Sequence, residues 1–175
     1  MRHLLLESLL KGPLTESGPG PDAAAMNELA SALATRSRRR LGRSLSIREV
    51  DTGSCNGCEL EINALNNAYY DIERFGLRFV ASPRHADVLL VTGPVTRNMQ
   101  EALERAYRAT PEPKWVVAVG DCAINGGCFA GSYAVVGSVS AVIPVDLHIP
   151  GCPPTPVAIL KGLLALLDEA GSPRR

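Results

Sequence analysis

The sequence predicts an α/β domain built on a mostly parallel β-sheet with helices on both faces. Two continuous apolar runs, Val88–Val91 and Trp115–Val119, are typical of parallel strands that are buried on both sides. Segments with helical spacing lie between such runs, and Glu59–Phe75 is the first of them after the N-terminal region. Strands that alternate with helices along the chain indicate this architecture.

The individual elements follow from local patterns and from helix start and stop signals. Five strands are predicted, at Leu45–Val50, Leu77–Ala81, Val88–Val91, Trp115–Val119 and Val145–Ile149. Helices are predicted at Glu59–Phe75, at Arg97–Arg108 with Thr96 as its cap, at Tyr133–Gly137 as a short helix, and from Pro154 or Pro156 to about Glu169. Gly120–Gly131 is too rich in glycine to form a regular element.

The N-terminal region differs from the rest of the chain in charge. Residues 1–48 hold eight Lys or Arg against four Asp or Glu, whereas residues 49–175 hold ten against fourteen. Lys11–Asp22 is typical of a linker, and Asp22 is a candidate cap for a helix that starts at Ala23. That helix runs into an arginine cluster: Arg36, Arg38, Arg39, Arg40 and Arg43. We therefore divide the chain into an N-terminal extension (1–44), a main domain (45–170) and a tail (171–175).

Composition excludes several classes of protein. No run approaches the roughly 20 apolar residues that span a bilayer, and Met1–Leu10 is short and lacks a following cleavage site. Five cysteines without a secretory signal predict a reducing, cytoplasmic compartment. The patterns of a P-loop, a nucleophile elbow and a dinucleotide loop are missing, so we expect no nucleotide, flavin or catalytic triad site. We also expect no nucleic-acid partner.

Four cysteines lie in turns rich in glycine or proline: Cys55, Cys58, Cys122 and Cys152. Thiolates are the ligands of soft metals and of iron–sulfur clusters, and four of them match the ligand set of a cubane. Each cysteine loop follows a predicted strand, so the four are expected to meet at the carboxyl edge of the sheet. A thioredoxin-type redox pair, a structural zinc site, a disulfide framework and plain buried thiols remain alternatives.

Other candidate residues have simpler interpretations. Cys128 is expected to be a small packing residue, and His85 and His148 are expected to be structural. Glu59 and Glu61 follow Cys58 at the predicted start of a helix, where negative charge complements the helix dipole.

From about Ile47 to Leu167 the chain resembles the small iron–sulfur subunit shared by complex I and the energy-converting nickel–iron hydrogenases. The matching stretches are G-S-C-N-G-C-E-L-E-I-N (53–63), Y-D-I-E-R-F-G (70–76), S-P-R-H-A-D-V-L-L-V-T-G-P-V-T (82–96), G-D-C-A-I-N-G-G (120–127) and V-D-L-H-I-P-G-C-P-P-T-P (145–156). The resemblance implies a flavodoxin-like fold and one 4Fe–4S cluster ligated by Cys55, Cys58, Cys122 and Cys152. It also implies an electron relay without catalytic residues of its own.

The amino-acid sequence around the first two cysteines favours the hydrogenase branch of this family. Complex I subunits carry adjacent cysteines there, whereas this chain has C-N-G-C-E-L-E, and S-P-R-H-A-D with V-T-R-N-M resembles the formate hydrogenlyase and hydrogenase-4 type. The implied partners are a large hydrogenase or 49 kDa-like subunit, a ferredoxin-like iron–sulfur subunit and membrane subunits. These partners would hold the chain on the cytoplasmic side of the inner membrane, with residues 1–44 as a docking segment. A complex I-type subunit is the alternative, and a freestanding thiol redox protein is a second one.

The resemblance also suggests a proton partner for the cluster. An acid three residues after the second cysteine, here Glu61, recurs in the complex I branch. A reduced cluster carries an added negative charge, which favours the protonated form of a nearby carboxyl group. We expect Glu61 to be the main partner and Glu59 a secondary one.

Overall fold

The computed structural model describes residues 23–169. Its centre is a five-stranded sheet in which every neighbouring pair of strands is parallel. The strands are β1 (Leu45–Asp51), β2 (Leu77–Phe79), β3 (Val88–Thr92), β5 (Trp115–Val119) and β7 (Leu147–Ile149), and they lie in the order β2-β1-β3-β5-β7. This is the strand order of flavodoxin-like folds, so the predicted fold class is confirmed. A separate antiparallel pair joins β4 (Val95–Thr96) to β6 (Val135–Gly137).

Helices cover both faces of the sheet and bury two apolar cores. One core packs against α1 (Ala23–Leu41), α2 (Gly57–Ala64) and α5 (Pro156–Glu169). The other packs against α3 (Arg97–Ala109) and α4 (Asp121–Asn125). Successive residues of a strand point to opposite faces, and β3 shows this directly, since Val88 and Leu90 enter the first core and Leu89 and Val91 the second.

The predicted helix Glu59–Phe75 is wrong in its second half. The helix α2 ends at Ala64, and the chain turns before a 3-10 segment at Ile72–Phe75. The side-chain oxygen of Asn67 accepts the backbone N–H groups of Tyr69 and Tyr70, at 2.8 and 3.0 Å. Asparagine that bonds to the backbone in this way offers the chain an alternative to helix, which the apolar periodicity does not reveal.

Two further differences concern the region after β5. The segment predicted as a short helix, Tyr133–Gly137, instead holds strand β6, because its backbone pairs with β4. The stretch Gly120–Gly131, expected to be irregular, contains the one-turn helix α4 and a 3-10 turn at Gly127–Phe129. Thr96 precedes α3 as expected, but its hydroxyl donates to the backbone oxygen of Thr52 and makes no cap bond.

The helix α1 packs on the main domain. Met26, Ala30, Leu33 and Ser37 recur along one side of α1 and are buried, and Arg36 forms an ion pair with Asp168 of α5. The proposed cap Asp22, the linker and the tail 171–175 lie outside the described residues. Among residues 23–169 no helix is both long and apolar enough to cross a membrane.

Candidate metal centre

The structure brings the four predicted ligand cysteines together around one pocket of about 110 Å³. Cys55 and Cys58 come from the loop and helix after β1, Cys122 from α4 after β5, and Cys152 from the loop after β7. Parallel strands present their carboxyl ends at one edge of the sheet, so loops that are remote in sequence meet there. The rest of the lining is Ser54, Gly57, Gly93, Asp121, Gly151 and Pro153.

The loop between β1 and α2 is shaped by its own short side chains. One carboxylate oxygen of Asp51 accepts the backbone N–H groups of Gly53 and Ser54, at 2.7 and 2.8 Å. The Ser54 hydroxyl accepts the N–H of Asn56 at 3.1 Å, and Asn56 adopts a left-handed conformation with φ of 69°. These bonds turn the chain sharply from the strand into α2, which places Cys55 and Cys58 on either side of the turn.

A buried threonine ties this loop to the neighbouring strand. The Thr52 hydroxyl donates to the backbone oxygen of Thr92 at 2.6 Å, and the Thr52 oxygen accepts the N–H of Thr96 at 2.9 Å. Gly93 packs so closely that a Cβ there would lie 2.7 Å from the Ser54 nitrogen. The position of the first cysteine loop is therefore set by the turn after β3.

Two glycines leave room for the sulfur atoms. Gly120 has φ of +87° and ψ of 157°, and a Cβ on it would lie 2.6 Å from the Cys58 sulfur. A Cβ on Gly127 would lie 2.7 Å from the Cys122 sulfur. Both contacts are shorter than real Cβ atoms make. The lack of a side chain at Gly120 and Gly127 thus makes room for the sulfur atoms of Cys58 and Cys122.

The loops of Cys122 and Cys152 are joined by paired hydrogen bonds. The Asp121 N–H donates to the Gly151 oxygen at 2.9 Å, and the Gly151 N–H donates back to the Asp121 carboxylate at 2.9 Å. The Gly120 N–H donates to the Ile149 oxygen at 2.8 Å. Sequence reasoning did not assign Asp121 a role, because nothing in G-D-C-A shows that the carboxylate bonds to a loop 30 residues away.

Burial and the closeness of the other cysteines raise the pKa values of two of the thiols. The pKa of Cys58 is raised to about 12, first by burial and then by the negative charge of Glu59 and of the three other cysteines. The pKa of Cys122 is raised mainly by burial, with contributions from Cys128 and Cys152. A set of thiols crowded in this way becomes fully deprotonated when a positively charged group lies between them, as a metal does for its ligands.

The four thiols are not grouped as a site for a single ion. Within residues 23–169, no three His, Cys, Asp or Glu side chains are grouped closely enough to hold one metal ion, and all five cysteines are free thiols. A 4Fe–4S cluster would be held by four cysteine thiolates and would supply one-electron chemistry. Four soft donors around one glycine-lined pocket fit such a group.

The other candidate residues lie apart from the pocket lining. Cys128 is exposed and does not line the pocket. His85 and His148 are exposed, in a 3-10 turn and on β7, and neither lines the pocket.

The two glutamates after Cys58 differ in their surroundings. Glu59 is buried, and neither of its carboxylate oxygens has a hydrogen-bond partner among the described residues. Glu61 is partly exposed, on a side of α2 where its charge reaches Tyr70. Sequence reasoning missed Glu49 on β1, whose pKa is raised to about 7, first by burial and then by the charges of Glu59 and Asp51. Glu49 gave no signal in the sequence, because its neighbourhood depends on how β1 packs against α2.

Comparison with known proteins agrees with this geometry. The family described as NADH ubiquinone oxidoreductase, 20 Kd subunit, matches residues 55–166, which include all four cysteines. The chain belongs to this family. The resemblance to the complex I 20 kDa and nickel–iron hydrogenase small subunits is thereby confirmed.

Individual relatives extend the match. Formate hydrogenlyase subunit 7 of Escherichia coli (strain K12) is 42% identical over 165 residues, which are 93% of this chain and 64% of that protein. The chain thus spans less than two thirds of that relative's length. The probable membrane-bound hydrogenase subunit mbhJ of Pyrococcus furiosus is 48% identical over 129 residues, which are 74% of this chain and 77% of the relative.

A solved structure shows the same fold. It is that of the membrane-bound sulfane sulfur reductase, an archaeal respiratory membrane complex. One of its chains matches with a TM-score of 0.65 and 36% identity, over 79% of this chain and 78% of that one.

Proposed function

We propose that this chain is the electron-transfer subunit of a membrane-associated, energy-converting nickel–iron hydrogenase complex of the formate hydrogenlyase type. We further propose that it carries one 4Fe–4S cluster on Cys55, Cys58, Cys122 and Cys152. The observation that carries the proposal is the convergence of these four thiols, from three separate loops, on one glycine-lined pocket. Proteins of this family typically bind an iron–sulfur cluster.

The cluster supplies one-electron chemistry, and the chain's own residues hold and insulate it. The four thiolates anchor the irons, while Gly120 and Gly127 let backbone lie directly against two of the sulfurs. Asp121 joins the loops of Cys122 and Cys152 by two hydrogen bonds to Gly151. Preorganised loops of this kind reduce the structural change that accompanies electron transfer. We assign the chain no bond-making residue.

The hydrogenase assignment rests on the relatives. Two of them are named as subunits of formate hydrogenlyase and of a membrane-bound hydrogenase. The alternative is a component of an NADH–quinone oxidoreductase or a related complex, which the family's own description favours. Nickel in the co-purified large subunit would support the hydrogenase assignment. A large subunit with a quinone pocket and no nickel would support the alternative.

The convergence of all four thiols argues against a freestanding thiol redox protein, because such a protein would use only Cys55 and Cys58 and would leave Cys122 and Cys152 in the same pocket without a role. Colourless protein with an exchangeable Cys55–Cys58 disulfide would reverse this conclusion. Brown protein with an iron–sulfur spectrum would support the cluster.

Exposed apolar side chains near the cysteine loops support a partner over this face. Leu60, two residues after Cys58, is 61% exposed, and Phe129, in the turn after α4, is 37% exposed. Exposed apolar groups of this kind mark interaction surfaces when they cluster. We propose that a large hydrogenase or 49 kDa-like subunit covers this face. A ferredoxin-like subunit and membrane subunits would complete the assembly on the cytoplasmic side of the inner membrane, with residues 1–44 as a docking segment.

The ligand assignment is tested by five single variants, Cys to Ala, at Cys55, Cys58, Cys122, Cys152 and Cys128, each in the whole complex purified without oxygen. Iron and sulfide per complex are expected to fall in the first four, because no neighbouring side chain replaces a lost thiolate. The Cys128 variant is the matched control and should keep its iron. A loss at Cys128 equal to the loss at Cys122 would overturn the assignment.

The proton coupling of Glu61, with Glu59 second, stays a prediction. Its test is a redox titration of Glu61→Gln over a range of pH in the same complex. A flatter dependence of the midpoint potential on pH is expected if the carboxyl group takes up a proton on reduction. An unchanged slope would leave Glu61 as a residue that only complements the start of α2.

A further inference from the structure

A second concave surface lies on the outside of the first core and shares no described residue with the cysteine pocket. It has a volume of about 220 Å³ and is formed by α1, α5 and the turn that follows α2. We call it the α1–α5 groove. Apolar and aromatic side chains line it: Met26, Leu29, Tyr69, Tyr70 and Val157.

The groove is an outward continuation of the core. Leu29, Tyr70 and Val157 are partly buried and pack against the first core from the groove side. The ring of Tyr69 stands edge-on against that of Tyr70, with 4.8 Å between their centroids, and Tyr69 is 38% exposed. A contiguous apolar surface of this kind marks an interaction site. We therefore expect an apolar segment to cover it.

The residues that precede α1 have the composition that such a cover requires. Residues 1–10 read M-R-H-L-L-L-E-S-L-L, with leucines at positions 4, 5, 6, 9 and 10. Helical spacing would gather the leucines at 5, 6, 9 and 10 on one side. Glu7 is the acidic residue of this segment, and Lys161 on α5 is the charged residue in the described lining of the groove. The groove and the segment thus match in both apolar character and charge.

The position and length of the intervening chain allow the segment to reach the groove. Ala25 and Met26 line the groove and belong to the first turns of α1, where the described residues start. The linker Lys11–Asp22 has twelve residues, which span about 20 Å as a flexible chain and about 40 Å at full extension. A tethered segment binds intramolecularly, so its effective concentration at the groove exceeds that of a separate partner.

We propose that residues 1–10 of this chain fill the α1–α5 groove with their leucine side chains. The segment would extend the first core across α1 and bring Glu7 next to Lys161. Residues 1–10 and α1 would then present one joint surface to the partner subunits. The inference concerns residues that are remote from the cysteine pocket and does not depend on the cluster.

The experiment places the photoreactive amino acid p-benzoylphenylalanine at position 69 of the full chain, in the whole complex, and identifies the cross-linked peptides by mass spectrometry. We expect a cross-link to residues 1–10 in a product with the mass of one subunit. Position 161 is a second probe, because Lys161 is exposed and lines the other side of the groove. Position 133 is the control, because Tyr133 is 92% exposed and does not line the groove.

A pair of variants tests whether the leucines make the contact. The double variant Leu6→Asp with Leu9→Asp should lose the cross-link from position 69, because charged side chains are costly to bury in an apolar groove. Ser8→Asp, which adds a charge away from the leucine side in helical spacing, is the matched control and should keep it.

Every other result would refute the inference. Cross-links from positions 69 and 161 to another subunit, to lipid or to a second copy of this chain would assign the groove a different occupant. Absence of any cross-link from both positions would show that nothing fills it. Equal yields from positions 69 and 133, or from the double variant and Ser8→Asp, would show that the contact is not specific. Iron per complex, measured in the same samples, tests the cluster assignment separately.

Discussion

Replacing Gly120 by alanine would place a methyl group where the Cys58 thiol now lies. Gly120 has φ of +87° and ψ of 157°, a region of backbone space that is essentially reserved for glycine. A side chain in such a conformation costs about 1 to 3 kcal/mol. The new Cβ would also stand 2.6 Å from the Cys58 sulfur, whereas ordinary contacts begin at 3.4 Å.

The steric conflict is large compared with what a metal ligand tolerates. The sulfur or the loop must move by the difference, 3.4 minus 2.6 Å, or 0.8 Å. Metal–ligand distances in proteins stay within about 0.2 Å of their ideal values. A shift of this size on one ligand loosens the iron that it holds. We therefore expect Gly120→Ala to lose iron as well as stability.

The matched control is Gly131→Ala. Gly131 has a similar φ of +80°, yet nothing lies within 4 Å of a Cβ built on it. Both variants place a side chain on a residue with positive φ, which destabilises the fold, but only Gly120→Ala displaces the Cys58 sulfur. Iron per complex after anaerobic purification should fall in Gly120→Ala and stay at the wild-type level in Gly131→Ala. Equal iron in the two variants would refute the conclusion that close backbone approach at Gly120 sets the position of the thiol.

Three further changes test Glu49 on β1, Asp121 in the site and Asp87 at the amino ends of β1 and β3, and unfolding is followed by the fluorescence of the chain's single tryptophan. Burial and the charge of Glu59 raise the pKa of Glu49 to about 7 from 4.5, so the wild type loses stability as pH rises between these values, whereas Glu49→Gln does not titrate. In the cluster-free chain the difference in unfolding free energy between Glu49→Gln and the wild type should shift in favour of the variant by about 1 to 2 kcal/mol from pH 5 to pH 8, after allowance for solvent screening of this half-buried group. A difference that stays the same at both pH values would contradict this prediction. Asp121→Ala removes the acceptor of the Gly151 N–H and should speed the release of iron to a chelator, whereas an unchanged rate would show that this bond does not hold the two loops. Asp87→Ala removes a buried carboxylate that accepts three hydrogen bonds; its cost in urea unfolding should be about 2 kcal/mol, and a cost near zero would refute its role.

Local sequence patterns correctly predicted the elements whose conformation depends mainly on their own residues. The strand Trp115–Val119 is apolar throughout and is buried on both faces as predicted, and the helix predicted at Arg97–Arg108 runs from Arg97 to Ala109. The elements that were mispredicted depend on other bonds. The early end of α2 follows from the side chain of Asn67, and β6 exists because a distant strand pairs with it.

The sequence by itself determined the family, the α/β class and the four cysteines that meet at one edge, because motif spacing and apolar periodicity are properties of neighbouring residues. Only the tertiary structure decided how the thiols are held. The backbone of Gly120, which follows β5, lies against the sulfur of Cys58, which follows β1, because only β3 separates these two strands in the sheet. Asp121 reaches Gly151 because β5 pairs with β7. Such contacts depend on strand order and loop direction, which the free energy of the whole fold selects and no short stretch of sequence encodes.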